Sequence, residues 1–460
     1  MSRGLALLLG IVALVLASAT VYLKPVLASA LGLAARQACS LHVGAGIPLA
    51  LARETYIDRH IRPLGPYVST HVDANHVRAS LFNLLTVRAF HREGYGCVLA
   101  HGEDVLALKP YRVTPRRQST LNQPERQAHF DVSALDAAVE ASFAEPGDAE
   151  PRQTMAVLVL SNGKLVAEKY AEGISQTTPL PGFSMAKSMT ATMLGLLVLH
   201  KGLDVRAVVA NAGKLSEAGV TYDQLLRMTS GIGVVEDGSG RDGNSIMLTQ
   251  THDAAAYAVN QALQHDPGTE YAYTGGNSVV LAKQFVELAG DGNPSEAYRF
   301  LADELLQPLA MTSVVLETDG VGTFLGSSFM LASALDWAKL GQLYLQNGVW
   351  EGRRVLPEGW TEYVSTKTPQ SMERDYGAGF WVAVDGGRDS RHEHLPRPPA
   401  NALFMHGMMN QAVYILPTES LVVVRLGATR SYLDSGEWEL LADTLSAWKP
   451  AQTPMRYPEQ

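Results

Sequence analysis

The sequence predicts an α+β fold: an antiparallel sheet flanked by helices, an all-helical region, and an N-terminal membrane segment. Three observations carry this. β-Prone runs gather at both ends of a main domain, helical patterns fill the interval between them, and an uncharged apolar run precedes both. Strands separated by so much helix are expected to meet in one antiparallel sheet. With 460 residues, the chain can bury a large core and hold one big domain plus accessory segments. Hydrophobic residues at 46% and charged residues at 18% mark a globular protein, and a net charge of −9 argues against a nucleic-acid partner.

Four segments follow from the composition: 1–30 (transmembrane anchor or signal peptide), 31–127 (accessory segment and linker), 128–448 (main domain) and 449–460 (tail). Gly4 to Leu23 is uncharged and mostly apolar, long enough to span a bilayer as a helix. Ala17-Ser18-Ala19 and Ala28-Ser29-Ala30 also suit signal peptidase, so the segment is either an anchor or a removed signal. Both readings export the body, to the periplasmic side of the inner membrane. Cys39 and Cys97, the two cysteines, then read as a disulfide, with two unrelated buried thiols as the alternative.

Within the accessory segment, Val77 to His91 suggests a hairpin or two short strands. Lys109 to Gln127 is polar and basic and reads as a linker or a strap across the next domain. Thr154 to Ser161 and Lys164 to Tyr170 are β-prone runs joined by Asn162-Gly163, a hairpin signal because both turn residues must adopt positive φ. Met185 to His200 reads as one buried helix. Thr221 to Gly231 is a short helix closed by glycine, and Gly233 to Asn244 a loop rich in Gly, Asp and Ser. Helical patterns continue from Asp253 to Leu309 and from Leu331 to Asn347. Tyr376 to Val384, Ala412 to Leu416 and Leu421 to Leu426 read as strands, and Glu437 to Trp448 as a closing helix.

Candidate chemistry begins at Gly182-Phe183-Ser184-Met185-Ala186-Lys187-Ser188. Ser184 and Lys187, three apart on the first turn of a helix, share a face. The unpaired N–H groups there favour negative charge, and an adjacent ammonium lowers the cost of deprotonating a hydroxyl. The bland reading is an N-capping serine. Tyr273 offers a phenol on a Gly-rich turn, Pro267 to Asn277. Hydrogen-bonded to a lysine it could act as a general base; alone it would read as a core tyrosine.

Taken together, Gly182 to Ser188, Leu225-Leu226-Arg227-Met228-Thr229-Ser230-Gly231, Pro267-Gly268-Thr269 and Tyr273 occur in an order that resembles the β-lactamase-related serine hydrolases. These are relatives of class C β-lactamases, D-alanyl-D-alanine carboxypeptidases and family VIII esterases. Ser327 to Gly348, Trp350-Glu351-Gly352 and Asn410 to Tyr414 are similar to the branch containing 6-aminohexanoate-dimer hydrolases. The resemblance spans about residues 150 to 448 and implies a β-lactamase/penicillin-binding-protein-like fold. It implies Ser184 as acylated nucleophile, Lys187 as its activator and Tyr273 as proton shuttle to the leaving group. Half of an oxyanion hole would come from the Ser184 N–H, the other half from the strand beginning near Met408.

The chain departs from the family pattern at two motifs. Tyr-x-Asn is here Tyr273-Thr274-Gly275, leaving Asn277 as candidate replacement for the amide. Neither Lys-Thr-Gly nor His-x-Gly is present; Phe404-Met405-His406-Gly407-Met408 is the candidate, with Gly407 holding the glycine position. His406 either lines the cleft or makes a structural hydrogen bond. Asp336 and Trp337 read as helix start and packing. His392-Glu393-His394 has the wrong spacing for a helical zinc pair, so no metal is expected, nor any cofactor. The sequence thus points to an exported serine hydrolase of a small ester, amide or peptide, with Asn277, His406, Gly407 and Met408 binding substrate. The rival reading is a non-catalytic cell-wall peptide-binding or scaffold protein that kept the fold.

Overall fold

The structure is a computed structural model. It describes residues 3–450 apart from 74–75, 116–118, 148–149, 373–374, 384–397 and 431–435, and for residues 3–20 the backbone alone. His392-Glu393-His394 lies outside the described residues, as does most of the tail.

The elements used below are, in order, α1 (Arg3–Ala38), β1 (Val68–Val72), β2 (His76–Leu81), β3 (Leu85–Arg92), β4 (Gly96–Leu99), α2 (Val132–Ala141), β5 (Thr154–Ser161) and β6 (Lys164–Tyr170). They continue with β7 (Leu180–Pro181), α3 (Ala186–Lys201), α4 (Gly243–Gln250), α5 (Gly275–Gly290), β8 (Val315–Leu316), β9 (Met330–Ala332) and α6 (Ala334–Leu345). The last are β10 (Trp381–Val382), β11 (Leu403–Gly407), β12 (Gln411–Leu416), β13 (Leu421–Gly427) and α7 (Glu437–Ala447).

The main sheet has six strands in the order β10-β11-β12-β13-β5-β6, every pair antiparallel. The C-terminal strands therefore pair with the N-terminal hairpin of the domain, as the sequence predicts. Alternation along each strand sends Ala156, Leu158 and Leu160, with Val422, Val424 and Leu426, into the core shared with α3 and α6. Val157, Val159, Leu421, Val423 and Tyr414 face a second core under α2 and α7. Both faces are covered, which explains why Thr154 to Ser161 reads as an unbroken apolar run. Helix α6 lies close on the sheet because Gly341 presents no side chain; a Cβ there would stand 2.9 Å from Val422 Cγ1.

The strand expected over Tyr376 to Val384 is reduced to β10. Gly379 sits at φ +79°, and a Cβ on Gly377 would come within 2.0 Å of the Val364 carbonyl, so the chain doubles back before pairing.

The accessory segment is a four-stranded antiparallel sheet, β1-β2-β3-β4, laid on α1, and contains the expected hairpin. It is not held apart from the main domain. Ala30, Leu31, Ala34, Ala35 and Ala38 of α1 join the same hydrophobic core as α3. Ser29 Oγ accepts from Thr249 Oγ1 and Gln250 Nε2, and the Pro25 carbonyl from Gln250 Nε2. Buried Glu317 accepts from the Cys97 amide at 2.9 Å and from the Ser40 hydroxyl. Burial pushes its carboxyl up, while the Arg36 guanidinium opposes that rise. The 109–127 stretch is a strap, with Tyr111 Oη donating to the Val314 carbonyl and the Lys109 amide to Ser295 Oγ.

Cys39 and Cys97 form a disulfide, Cα to Cα 6.0 Å, closing a 58-residue separation. Non-reducing peptide mapping should recover the cross-linked pair, and Cys97→Ser should lower unfolding free energy by about 2–4 kcal/mol. Free, alkylatable thiols in protein made under oxidising conditions, or a variant as stable as the parent, would contradict this.

Candidate active site

Ser184 sits in a 3₁₀ turn, Phe183–Met185, that runs directly into α3. Two features force the turn. Gly182 lies against the indole of Trp337, where a Cβ would stand 2.3 Å from Cζ2. Phe183 is held at φ +46°, a left-handed conformation costing about 1–2 kcal/mol for a residue with a side chain. Trp337 is in turn fixed by α6, whose N-cap Ser333 accepts from the Asp336 amide. Asp336 Oδ2 accepts from the Ser313 amide and hydroxyl, so both residues act in packing and helix start.

Lys187 is 3% exposed. Its ammonium donates to Ser184 Oγ at 3.2 Å and to the Ser327 carbonyl at 3.1 Å, and lies 4.5 Å from the Tyr273 ring centroid. Burial by itself would push this ammonium down. The neighbouring Tyr273 phenol and Glu236 carboxylate outweigh it and hold the lysine above its usual range, so it carries its charge at neutral pH. Ser188, one residue beyond Lys187, is buried and donates to the Gly379 carbonyl at 2.7 Å. Ser184, Lys187 and Tyr273 are thus brought together, with Ser188 tied away.

Tyr273 is framed by aromatic rings, Tyr376 at 5.7 Å and Trp381 at 5.6 Å between centroids. Gly407 ends β11 against the Ser184 turn; a Cβ on it would stand 2.2 Å from the Gly182 carbonyl. The register differs from the expected one. The strand ends at Gly407, and Met408 opens the turn before β12, 45% exposed.

Two expected substrate-binding residues lie elsewhere. His406 alternates with Met405 and Gly407 and so faces away from Ser184, toward α7. There its Nε2 is 3.2 Å from Glu437 Oε2. Burial would raise the Glu437 carboxyl, but His406 and Tyr414 hold it below the usual range. Asn277 is buried in the first turns of α5, its Oδ1 accepting from Ser230 Oγ at 2.5 Å and its Nδ2 contacting Met228 Sδ at 3.2 Å. Its amide is consumed in joining α5 to the Thr229-Ser230 turn.

Two residues that no motif marks also border the site, Glu236 in the Gly-rich loop before α4 and Asn244 in the first turn of α4. Glu236 Oε2 accepts from the Gly275 amide at 2.7 Å. Asn244 occupies the space that a side chain on Gly275 would take: a Cβ there would stand 2.2 Å from Asn244 Oδ1 and 2.9 Å from Ser327 Oγ. Asn244 is 9% exposed, and its Oδ1 has no hydrogen-bond partner among the described residues. The only signal in the sequence is the glycine at 275 itself, which says that something else fills that volume. Among the described residues no group of His, Cys, Asp and Glu is arranged to hold a metal.

Residues 139–445 match the β-lactamase family profile. A 6-aminohexanoate-dimer hydrolase from Paenarthrobacter ureafaciens is 26% identical over 295 residues, covering 60% of this chain and 72% of that protein. Among solved structures, a Bacillus anthracis protein assigned as a 6-aminohexanoate-dimer hydrolase has TM-score 0.53 at 18% identity, covering 75% of this chain and 89% of its own. A penicillin-binding protein homologue from Caulobacter crescentus has TM-score 0.53 at 15% identity, covering 68% and 97%. These likenesses agree with the antiparallel sheet and its flanking helices.

The placement of His406 makes a distinction measurable. His406→Ala should leave ester turnover within a few-fold of the parent while costing about 1–3 kcal/mol of stability by stripping a buried carboxylate of a partner. Because the folded pKa of Glu437 is depressed, this stabilisation is present above the unfolded carboxylate value and lost as pH falls through the folded one. Denaturant titrations across that acid limb, with and without His406, check the sign. A large fall in turnover at unchanged stability would return His406 to the cleft.

Proposed function

The chain belongs to the β-lactamase family of serine hydrolases, and we propose that it cleaves an ester or amide through an acyl-enzyme on Ser184. The observation that carries this reading is the buried Lys187 ammonium within hydrogen-bond reach of Ser184 Oγ and over the Tyr273 ring. Ser184 Oγ attacks the substrate carbonyl carbon, and its proton passes through the Lys187–Tyr273 pair to the leaving oxygen or nitrogen as that bond breaks. Water then attacks the acyl carbon, gives a proton to the same pair, and the acid leaves as Ser184 is reprotonated. With its proton held by its neighbours, Lys187 stabilises the serine alkoxide while Tyr273 hands the proton on. The Ser184 N–H, with the β11 end at Gly407 and Met408, supplies the oxyanion site in this reading.

Asn244 takes the place of the amide missing from the second motif. A buried amide oxygen without a partner costs about 1–3 kcal/mol, so its presence beside Gly275 and Ser327 points to a substrate N–H or hydroxyl as partner. The similarity to 6-aminohexanoate-dimer hydrolases, whose name specifies an amide, supports including amides in the substrate class. With no basic residue in the third motif, a carboxylated β-lactam is a poor fit.

The same reading anchors the protein. The Val21–Gly44 stretch contains an 18-residue window apolar enough to cross a membrane, but 67% of that window is buried in the protein. That leaves the preceding apolar run, Gly4 to Leu23, for the bilayer, with the body on the exported, disulfide-forming side. Removal at Ala30 would cut α1 inside the core and strip Pro25 and Ser29 from Gln250, which argues against cleavage at that site and leaves an uncleaved anchor or cleavage at Ala19.

Lys187→Ala and Tyr273→Phe should each lower kcat on a chromogenic ester by about 10²–10⁴-fold, and the double variant little more, because one proton path is broken either way. Multiplicative losses would make one of them merely structural. Asn244→Ala should lower kcat/KM for amides severalfold more than for simple esters, without loss of thermal stability. Equal losses for both substrates, or a fall in Tm, would make Asn244 a packing residue. A cephalosporin reporter in the same panel should be turned over poorly.

A further inference from the structure

The accessory sheet ends in a cluster of large apolar side chains that nothing among the described residues covers. Phe82 is 66% exposed, Leu84 85%, Leu85 44%, and Tyr67, whose ring is 6.0 Å from Phe82, is 57% exposed. The turn between β2 and β3 is a tight one with φ +51° at Phe82 and +58° at Asn83. Such mirror-image turns favour Asn-Gly or Asp-Gly. A phenylalanine there costs strain and, being exposed, returns no packing inside the fold.

Its position relative to α1 follows from register. The Cys39–Cys97 bridge and the contact of Gly32 with Leu99 show β4 descending toward the N-terminal end of α1 as its numbers rise. Ala89 pairs with Leu99, so the tip at Leu85 lies about 13 Å further along β3. That distance equals about nine residues of helix and brings the tip level with roughly residue 23 of α1. Val21, Tyr22 and Leu23 are exposed there, at the end of the apolar run.

Charge follows the same axis. β1, β2 and β3 contain no Asp or Glu; Asp73 and Glu93 lie in the turns at the opposite end. Arg78 and Arg88 face each other across β2 and β3, with His71 beside Arg78, and neither arginine forms an ion pair among the described residues. Facing like charges destabilise a sheet unless an anion joins them. Arg88 stands about 10 Å above Leu85 along β3, the depth between an inserted apolar tip and a headgroup.

We propose that the Tyr67, Phe82, Leu84 and Leu85 tip inserts into the bilayer interface, with Arg78 and Arg88 on anionic lipid headgroups. This forms a second membrane contact that fixes how the body sits on its own membrane. It rests on the reading of α1 as an anchor, and the test separates the two. Full-length protein is reconstituted in phosphatidylcholine vesicles with or without phosphatidylglycerol, carrying p-benzoylphenylalanine at Phe82, at Glu93 or at Leu14. Illumination should give lipid adducts at Phe82 and Leu14, severalfold fewer at Glu93. The Phe82 yield should rise with phosphatidylglycerol and lose that rise in Arg78→Gln/Arg88→Gln. Lipid adducts at Leu14 without any at Phe82 would overturn the proposal while leaving the anchor standing. Adducts at neither would overturn both. Phe82 cross-linked to a second copy of the chain would assign the tip to a protein contact, and a yield indifferent to phosphatidylglycerol would remove the anionic-lipid contact.

Discussion

A lysine ammonium buried to 3% exposure has to be held by its surroundings, and in this protein that requirement organises the centre of the fold. Left without partners, a buried ammonium would shed its proton. The Ser184 hydroxyl and the Ser327 carbonyl receive its hydrogen bonds, the Tyr273 ring lies below it, and the Glu236 carboxylate stabilises its charge from the Gly275 turn. Each partner comes from a different part of the chain. Ser184 is presented by the 3₁₀ turn, Ser327 by the segment leading into β9, Tyr273 by the turn before α5, and Glu236 by the loop before α4. Bringing these four segments onto one ammonium is what the sheet and helices accomplish.

Tight backbone approaches secure the arrangement. Gly182 against Trp337, Gly407 against the Gly182 carbonyl and Gly275 against Asn244 each leave no space for a Cβ. The strained Phe183 is tolerated because Gly182 is pinned on both sides. The accessory segment also bears on this region, since His60, hydrogen-bonded to Gln37 of α1, packs edge-on against Phe183 at 5.7 Å between centroids. The N-terminal segments therefore brace the Ser184 turn as well as preceding it.

Much of this was legible from the residues. The Asn162-Gly163 hairpin, the pairing of terminal strands, the helix at 185–200 and the Ser184–Lys187 face all depend on local spacing, which sequence displays directly. Tyr273 needed the order of several motifs. What stayed hidden depends on contacts between distant segments. Asn244 fills the space beside a glycine far along the chain, and the only hint of it is the missing side chain of Gly275. Strand parity turns His406 toward Glu437, and no motif reports the parity of a short strand. Asn277 looked available as a replacement amide, but the helix that begins at Gly275 carries it inward to Ser230. Glycines at 377 and 379 shorten an expected strand because of what the chain meets there, the Val364 carbonyl and α3.

The account stands on Ser184 becoming acylated. Full-length protein mixed with a slowly deacylating activated ester, quenched in acid and digested, gives the most direct measurement. The account predicts a mass increase equal to the acyl group on the peptide containing Ser184, located to Ser184 by fragmentation and absent from Ser184→Ala. Acylation placed on Ser188 or any other residue, or ester turnover undiminished in folded Ser184→Ala, would contradict it.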